Sequence, residues 1–186
     1  MDRQRLLILL EMAMMAALAV VFSQIKVFEM PQGGSVSLVM VPIALIAVRR
    51  GPIAGVVTGM LVGFLQLMLG STIVNPVQVI LDYPLAFAAL GLSGLVRLSD
   101  YEGKKQRLMV LWSSLFIGVL GRLVCHFISG IVWFGQYAPE GTPVALYSFV
   151  YNITYLLPEM LISGVVLTVV LGSATKLLFP TRDRLA

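Results

Sequence analysis

Charge is what this chain has least of. Only 12% of its 186 residues are Asp, Glu, Lys or Arg, against 59% hydrophobic, and the mean hydropathy is +0.95. A soluble domain of this size could not hide that much apolar surface, so lipid is read as the solvent. Alternating polarity of the kind a membrane β-barrel needs is also missing. The apolar stretches are long and continuous, and backbone groups in lipid must bond within their own segment, so the spans are read as helices. A single cysteine, Cys125, excludes an internal disulfide. No GxxxxGK[ST] occurs, so the chain cannot hydrolyse ATP by itself. No linker, low-complexity tract or second domain interrupts it, and residues 1–186 are read as one integral-membrane domain. Neither a metal nor a cofactor site is expected, and no catalytic residues are assigned.

The few charges are placed with a pattern. Eleven of the thirteen basic residues fall in four clusters: Arg3/Arg5, Arg49/Arg50, Arg97/Lys104/Lys105/Arg107 and Lys176/Arg182/Arg184. Basic residues gather on the cytoplasmic side of membrane proteins. Four clusters on one side, with apolar runs between them, predict six transmembrane helices with N- and C-termini cytoplasmic. The net charge of +4 therefore sits at membrane borders facing anionic lipid and is no nucleic-acid signal. The N-terminus has the look of a secretory leader, with Arg3, Arg5, an apolar run and Ala17-Leu18-Ala19. The run continues through Val20, Val21 and Phe22 without a helix breaker, so it is read as the first span.

The spans are placed at about 6–27, 38–48, 52–69, 77–96, 108–134 and 144–178. The second has eleven residues, about 17 Å of helix, too short for a hydrocarbon core of about 30 Å. Residues of the preceding loop are expected to complete that crossing, packed against protein. The sixth is expected to bend at Pro158. Gly51, Gly55, Gly59 and Gly63 form a ridge that allows close helix approach, and Ala13 and Ala17 repeat that spacing beside Ala16.

Ionisable residues inside spans are costly and mark functional positions. Here they are Asp82, Arg122, His126 and Glu159. Asp82 and His126 lie toward the outer ends of their spans. Tyr147, Tyr151 and Asn152 begin the sixth, and Trp133, Phe134 and Tyr137 close the fifth. The polar and aromatic groups thus converge on an outward pocket over an aliphatic inner half. Arg122 shares a helix face with His126. An ion pair of Arg122 with Glu159 or Asp82 is as good a reading as a ligand contact. Asp82 supplies an anion, Tyr83, Tyr147 and Asn152 supply hydrogen bonds, and Trp133 and Phe134 supply flat faces. A flat, cationic heteroaromatic solute fits that list.

The stretch Asp82-Tyr83-Pro84-Leu85-Ala86-Phe87, the segment GRLVCHFISGIVW at 121–133, Tyr147 with Asn152, the Glu11–Ala17 stretch and Arg49-Arg50-Gly51 together resemble the thiamine-specific substrate-binding (S) component of energy-coupling factor transporters, over nearly the whole chain. The resemblance implies a multi-pass protein of the bacterial cell membrane that binds thiamine from outside. It implies partnership with a transmembrane coupling subunit and two cytoplasmic ATPase subunits that power uptake. It places ligand contacts at Asp82, Tyr83, His126, Tyr147, Asn152 and either Trp133 or Phe134, and a partner interface at Ala13, Ala16 and Ala17. Where the family carries Glu, Asp82 is one methylene shorter and must reach further or use a water. The family's aromatic from the first outer loop finds only Phe28. Two other readings stand beside this one. Another vitamin (riboflavin, biotin or a thiamine precursor) could occupy the same fold. Gly91-Leu92-Ser93-Gly94 also matches the GxSG of rhomboid intramembrane proteases, although Ser93 and His126 differ in depth by roughly 10 Å at 1.5 Å per residue.

Overall fold

The computed structural model describes residues 3–70, 72–96 and 98–179; Arg97, Arg182 and Arg184 of the basic clusters lie outside them. The architecture is all-α: α1 (Arg3–Ser23), α2 (Met40–Arg50), α3 (Pro52–Leu67), α4 (Pro76–Ile80), α5 (Ala86–Leu90), α6 (Lys104–Trp133) and α7 (Val144–Ser173). A two-residue hairpin, β1 (Phe28–Glu29) with β2 (Ser35–Val36), precedes α2. Among the described residues four segments are long and apolar enough to cross a membrane unaided: α1, Pro76–Asp100, α6 and α7. α3 is shorter, and α2 has 11 residues.

α2 is the centre of the bundle, and every residue from Met40 to Val48 is buried. The outward faces of the other helices carry exposed Leu9, Val21, Ile53, Phe116, Val132 and Val169. Such apolar faces are stable toward lipid, not water. The shortness of α2 is made good as expected. Val36, Ser37 and Val39 are buried ahead of it, so the chain enters the protein before the helix starts.

The glycine spacing of α3 works against the fourth span. A Cβ on Gly55 would strike Ala47 and Gly91, one on Gly59 the backbone of Phe87, and one on Gly63 the backbone of Tyr83 and Pro84. Gly51 is not part of this ridge: it forms the α2–α3 turn at φ +97°, with Pro52 at the first position of α3.

α7 runs through Pro158 as one helix, whereas the fourth span departs from α-helical geometry at Pro84. Leu81–Leu85 forms a π-turn between α4 and α5, in which the Ala86 N–H reaches back to the Leu81 carbonyl. Proline has no N–H and its ring crowds the carbonyl four residues back, and widening the turn relieves both. Also, Lys104, Lys105 and Arg107 begin α6 and are not in the loop before it.

Among the described residues, Arg49, Arg50 and Arg107 gather around Glu11 and the segment that follows α7. Arg50 binds Glu11 of α1 through two bonds (2.6 and 2.7 Å), and Arg49 reaches Glu11 and the carbonyls of Leu177 and Phe179. Arg107 lies over the Phe179 ring at 4.6 Å. On α1, Met12, Ala16 and Ala19 are buried, whereas Ala13 and Ala17 face outward. Of the three alanines assigned to a partner surface, Ala16 is thus part of the core.

Gly59→Ala is expected to destabilise the protein by about 1–3 kcal/mol, because a methyl group there meets backbone that must move. Thermal unfolding in detergent checks this, with Gly172→Ala, whose Cβ would meet nothing, leaving the midpoint unchanged or slightly raised.

Candidate functional site

At the end of the bundle opposite the Arg49/Arg50 cluster, a cavity of about 220 Å³ opens between α6, α7, the π-turn and the hairpin loop. The π-turn supplies Asp82 and Tyr83. π-turns inside helices are frequent at functional sites, and this one is held from behind by the close approach of Gly63.

Asp82 is the hub, with its side chain 14% exposed. Oδ2 accepts from Gln78 Nε2 and Ser129 Oγ, each at 2.7 Å, and Oδ1 lies 3.0 Å from His126 Nδ1. The other ring nitrogen, Nε2, accepts from Arg122 Nε at 3.3 Å. An arginine N–H can only donate. The imidazole is therefore neutral with its proton on Nδ1, donated to Asp82. Both ring nitrogens are used, so His126 lines the cavity with no nitrogen free. A carboxylate has about four acceptor positions. Three of those on Asp82 are filled from the protein, and one remains for a donor in the cavity.

Arg122 continues the network to Glu159, Nη1 to Oε2 at 3.0 Å, and Glu159 Oε1 accepts from Ser37 Oγ at 2.9 Å. Of the two pairings open from the sequence, Arg122 makes the one with Glu159, and its guanidinium also stacks on Phe87 at 4.5 Å. α7 supplies the other wall. Tyr147, Tyr151 and Tyr155 form a ring ladder with centroids 5.7 and 6.4 Å apart. Asn152 accepts from the Tyr155 hydroxyl at 2.8 Å and donates to the Ser148 carbonyl at 2.8 Å. The Tyr151 hydroxyl accepts from the Gln32 N–H and donates to the Gly33 carbonyl, both 2.9 Å. Gly34, at φ +92°, sits where any Cβ would strike the Tyr155 ring. The loop before α2 is thereby pinned over the cavity. Tyr83 does the same for the next loop, its hydroxyl accepting from the Thr72 N–H at 3.0 Å.

Of the seven residues read from the sequence as ligand contacts, Asp82, Tyr83, His126, Phe134, Tyr147 and Asn152 line the cavity. Trp133 does not. α6 ends at Trp133, and the next residue, Phe134, turns inward. Phe28 is exposed on β1 and lies outside the lining. Gln78, Ser129, Tyr151 and Tyr155 belong to the lining but were not among the assigned contacts. Four-residue spacing from Asp82 could have found Gln78, and the Tyr147–Tyr155 ladder the two tyrosines. No local signal marks Ser129. Ser93 of the GxSG stretch is fully buried with its hydroxyl unpaired, and both nitrogens of His126 are engaged elsewhere, so no serine–histidine pair exists. Among the described residues no group of His, Cys, Asp and Glu could hold a metal.

A family sequence model described as "Thiamine transporter protein" matches residues 9–179. The chain is 44% identical over 183 residues to the thiamine transporter ThiT of Bacillus subtilis (strain 168), covering 94% of this chain and 95% of that one. It is 33% identical over 191 residues to the thiamine transporter ThiT of Lacticaseibacillus paracasei, covering 98% and 94%. A solved structure of ThiT from Listeria monocytogenes superposes with a TM-score of 0.88 at 34% identity, covering 96% of this chain and all of the other. A polar, aromatic-walled cavity inside a lipid-facing helical bundle and these matches lead to one conclusion: the chain belongs to the thiamine transporter family, as a multi-pass protein of the cell membrane and not an enzyme.

Proposed function

We propose that this protein takes up thiamine as the substrate-specific subunit of an energy-coupling factor importer, binding the vitamin in the cavity around Asp82. Thiamine is a cation with a flat aminopyrimidine that offers hydrogen-bond donors. The observation that carries the reading is Asp82 itself, a carboxylate at the cavity wall with one acceptor position left. Arg122 is committed to Glu159, so Asp82 is not neutralised by direct pairing with it, as a neutral or anionic vitamin would require. Tyr147, Tyr151 and Phe134 offer ring faces that attract both a heteroaromatic and a cation.

Both chain ends lie on the cytoplasmic side in this reading, with the cavity toward the outside. The chain carries no nucleotide-binding loop, and in this reading the energy comes from a transmembrane coupling subunit and two ATPase subunits, as the family resemblance implies. Ala13 and Ala17, exposed on α1, form the small-residue face for the coupling subunit, since small side chains let helix backbones approach.

Calorimetric titration of purified protein with thiamine is expected to show saturable one-to-one binding, weakened about 10- to 100-fold by Asp82→Ala, the worth of a hydrogen bond to a charged group. Absence of binding by folded protein would refute the thiamine assignment, and other vitamins would then be screened. Phe134→Ala is expected to weaken binding about tenfold, with Trp133→Ala nearly silent; the reverse order in the same titration would place the stacking ring at Trp133. Ala17→Leu is expected to leave binding intact and reduce thiamine uptake in cells. Unchanged uptake would remove this face of α1 from the coupling interface.

A further inference from the structure

Arg122 is out of place in a site for a cation. Arg122 is among the residues that line the cavity, and a positive charge there would repel a positively charged ligand. The ionised side chains that line the cavity cancel in pairs. Lys26 is bonded to Glu29 at 2.6 Å, and Arg122 faces the same space as Asp82. His126 adds no charge, because Nε2 accepts from Arg122 and the proton is on Nδ1. The lining alone would thus be neutral overall.

The balance is tipped from behind. Glu159 does not line the cavity. Its side chain is 0% exposed, and its Oε2 accepts from Arg122 Nη1 at 3.0 Å. We infer that Glu159 is a specificity-determining residue. By neutralising Arg122 from outside the cavity, it leaves the charge of Asp82 uncompensated, so the site selects a cationic ligand over an uncharged one of the same shape. The inference rests on the thiamine reading and concerns a residue that touches no ligand. Coulomb interactions reach across several ångströms in a low-dielectric interior, so direct contact is not needed.

The test compares two ligands on the full-length protein: thiamine, and an analogue in which an uncharged thiophene replaces the thiazolium. Glu159→Gln keeps the size of the side chain and an acceptor for Ser37 but unmasks Arg122. The ratio of thiamine to analogue affinity is expected to fall about tenfold or more, with affinity for the analogue little changed. A structural role alone would weaken both ligands alike and leave the ratio where it was; that result, or loss of both ligands, overturns the inference. Arg122→Met/Glu159→Gln removes both charges and leaves Asp82 alone, so the preference for the cation is expected to return. A folded double variant with the low ratio of Glu159→Gln also overturns it. Competition against labelled thiamine in membranes from expressing cells gives the same ratio where a variant resists purification. If the unmutated protein binds no thiamine, the thiamine reading itself fails. If it binds thiamine and the ratio does not move in Glu159→Gln, only the role of Glu159 fails.

Discussion

One guanidinium and two carboxylates sit inside a bundle whose outer surface is built for lipid, and each must find its partners within the protein. Removing one member of a buried ion pair costs about 3–5 kcal/mol, a large share of the stability of a small domain. That cost ties together segments far apart in the chain. Arg122 comes from α6, Glu159 from α7, Ser37 from the approach to α2, and Asp82 from the π-turn. With His126, these groups form one line of four bonds, Asp82 to His126 to Arg122 to Glu159 to Ser37. The floor and two walls of the cavity are therefore fixed by electrostatic satisfaction, where aliphatic packing alone would leave their relative positions softer.

The π-turn gives that line its end point. Pro84 removes an N–H, the turn widens, and Asp82 and Tyr83 are carried on the widened segment. A wider turn needs a close neighbour to hold it, and Gly63 lets α3 approach the backbone of Tyr83 and Pro84. The glycine spacing of α3 is thus more than a packing device. Its last member supports the segment that presents the carboxylate, and its first two fix the same span lower down against Gly91 and Phe87.

Much of this was legible in the sequence because lipid makes polar residues conspicuous. Asp82, Arg122, His126 and Glu159 stand out in apolar runs, and all four prove to be joined. The short second span announced a buried approach, and Ser37 is where that approach meets Glu159. What was not legible depends on tertiary context. Pro84 and Pro158 carry the same local signal, yet α7 continues through Pro158 while the fourth span gives way at Pro84. Ala13, Ala16 and Ala17 are the same residue type within five positions. Only the packing of α1 decides that Ala16 is core and the other two are surface. Trp133 and Phe134 are neighbours, and the end of α6 between them separates an aromatic outside the cavity from one within it. Ser129 gave no signal, because a lone serine is cheap enough in a helix to need no special reason.

The two ends of the bundle carry different chemistry, and α2 is bonded at both. At its entry, Ser37 is held by Glu159, the same carboxylate that neutralises Arg122. At its exit, Arg49 and Arg50 hold Glu11 on α1. Between them α2 is buried from Met40 to Val48, with close-packed neighbours that resist deformation. The carboxylate that pairs with Arg122 and the arginines that bond α1 therefore hold opposite ends of one buried segment, although they share no contact.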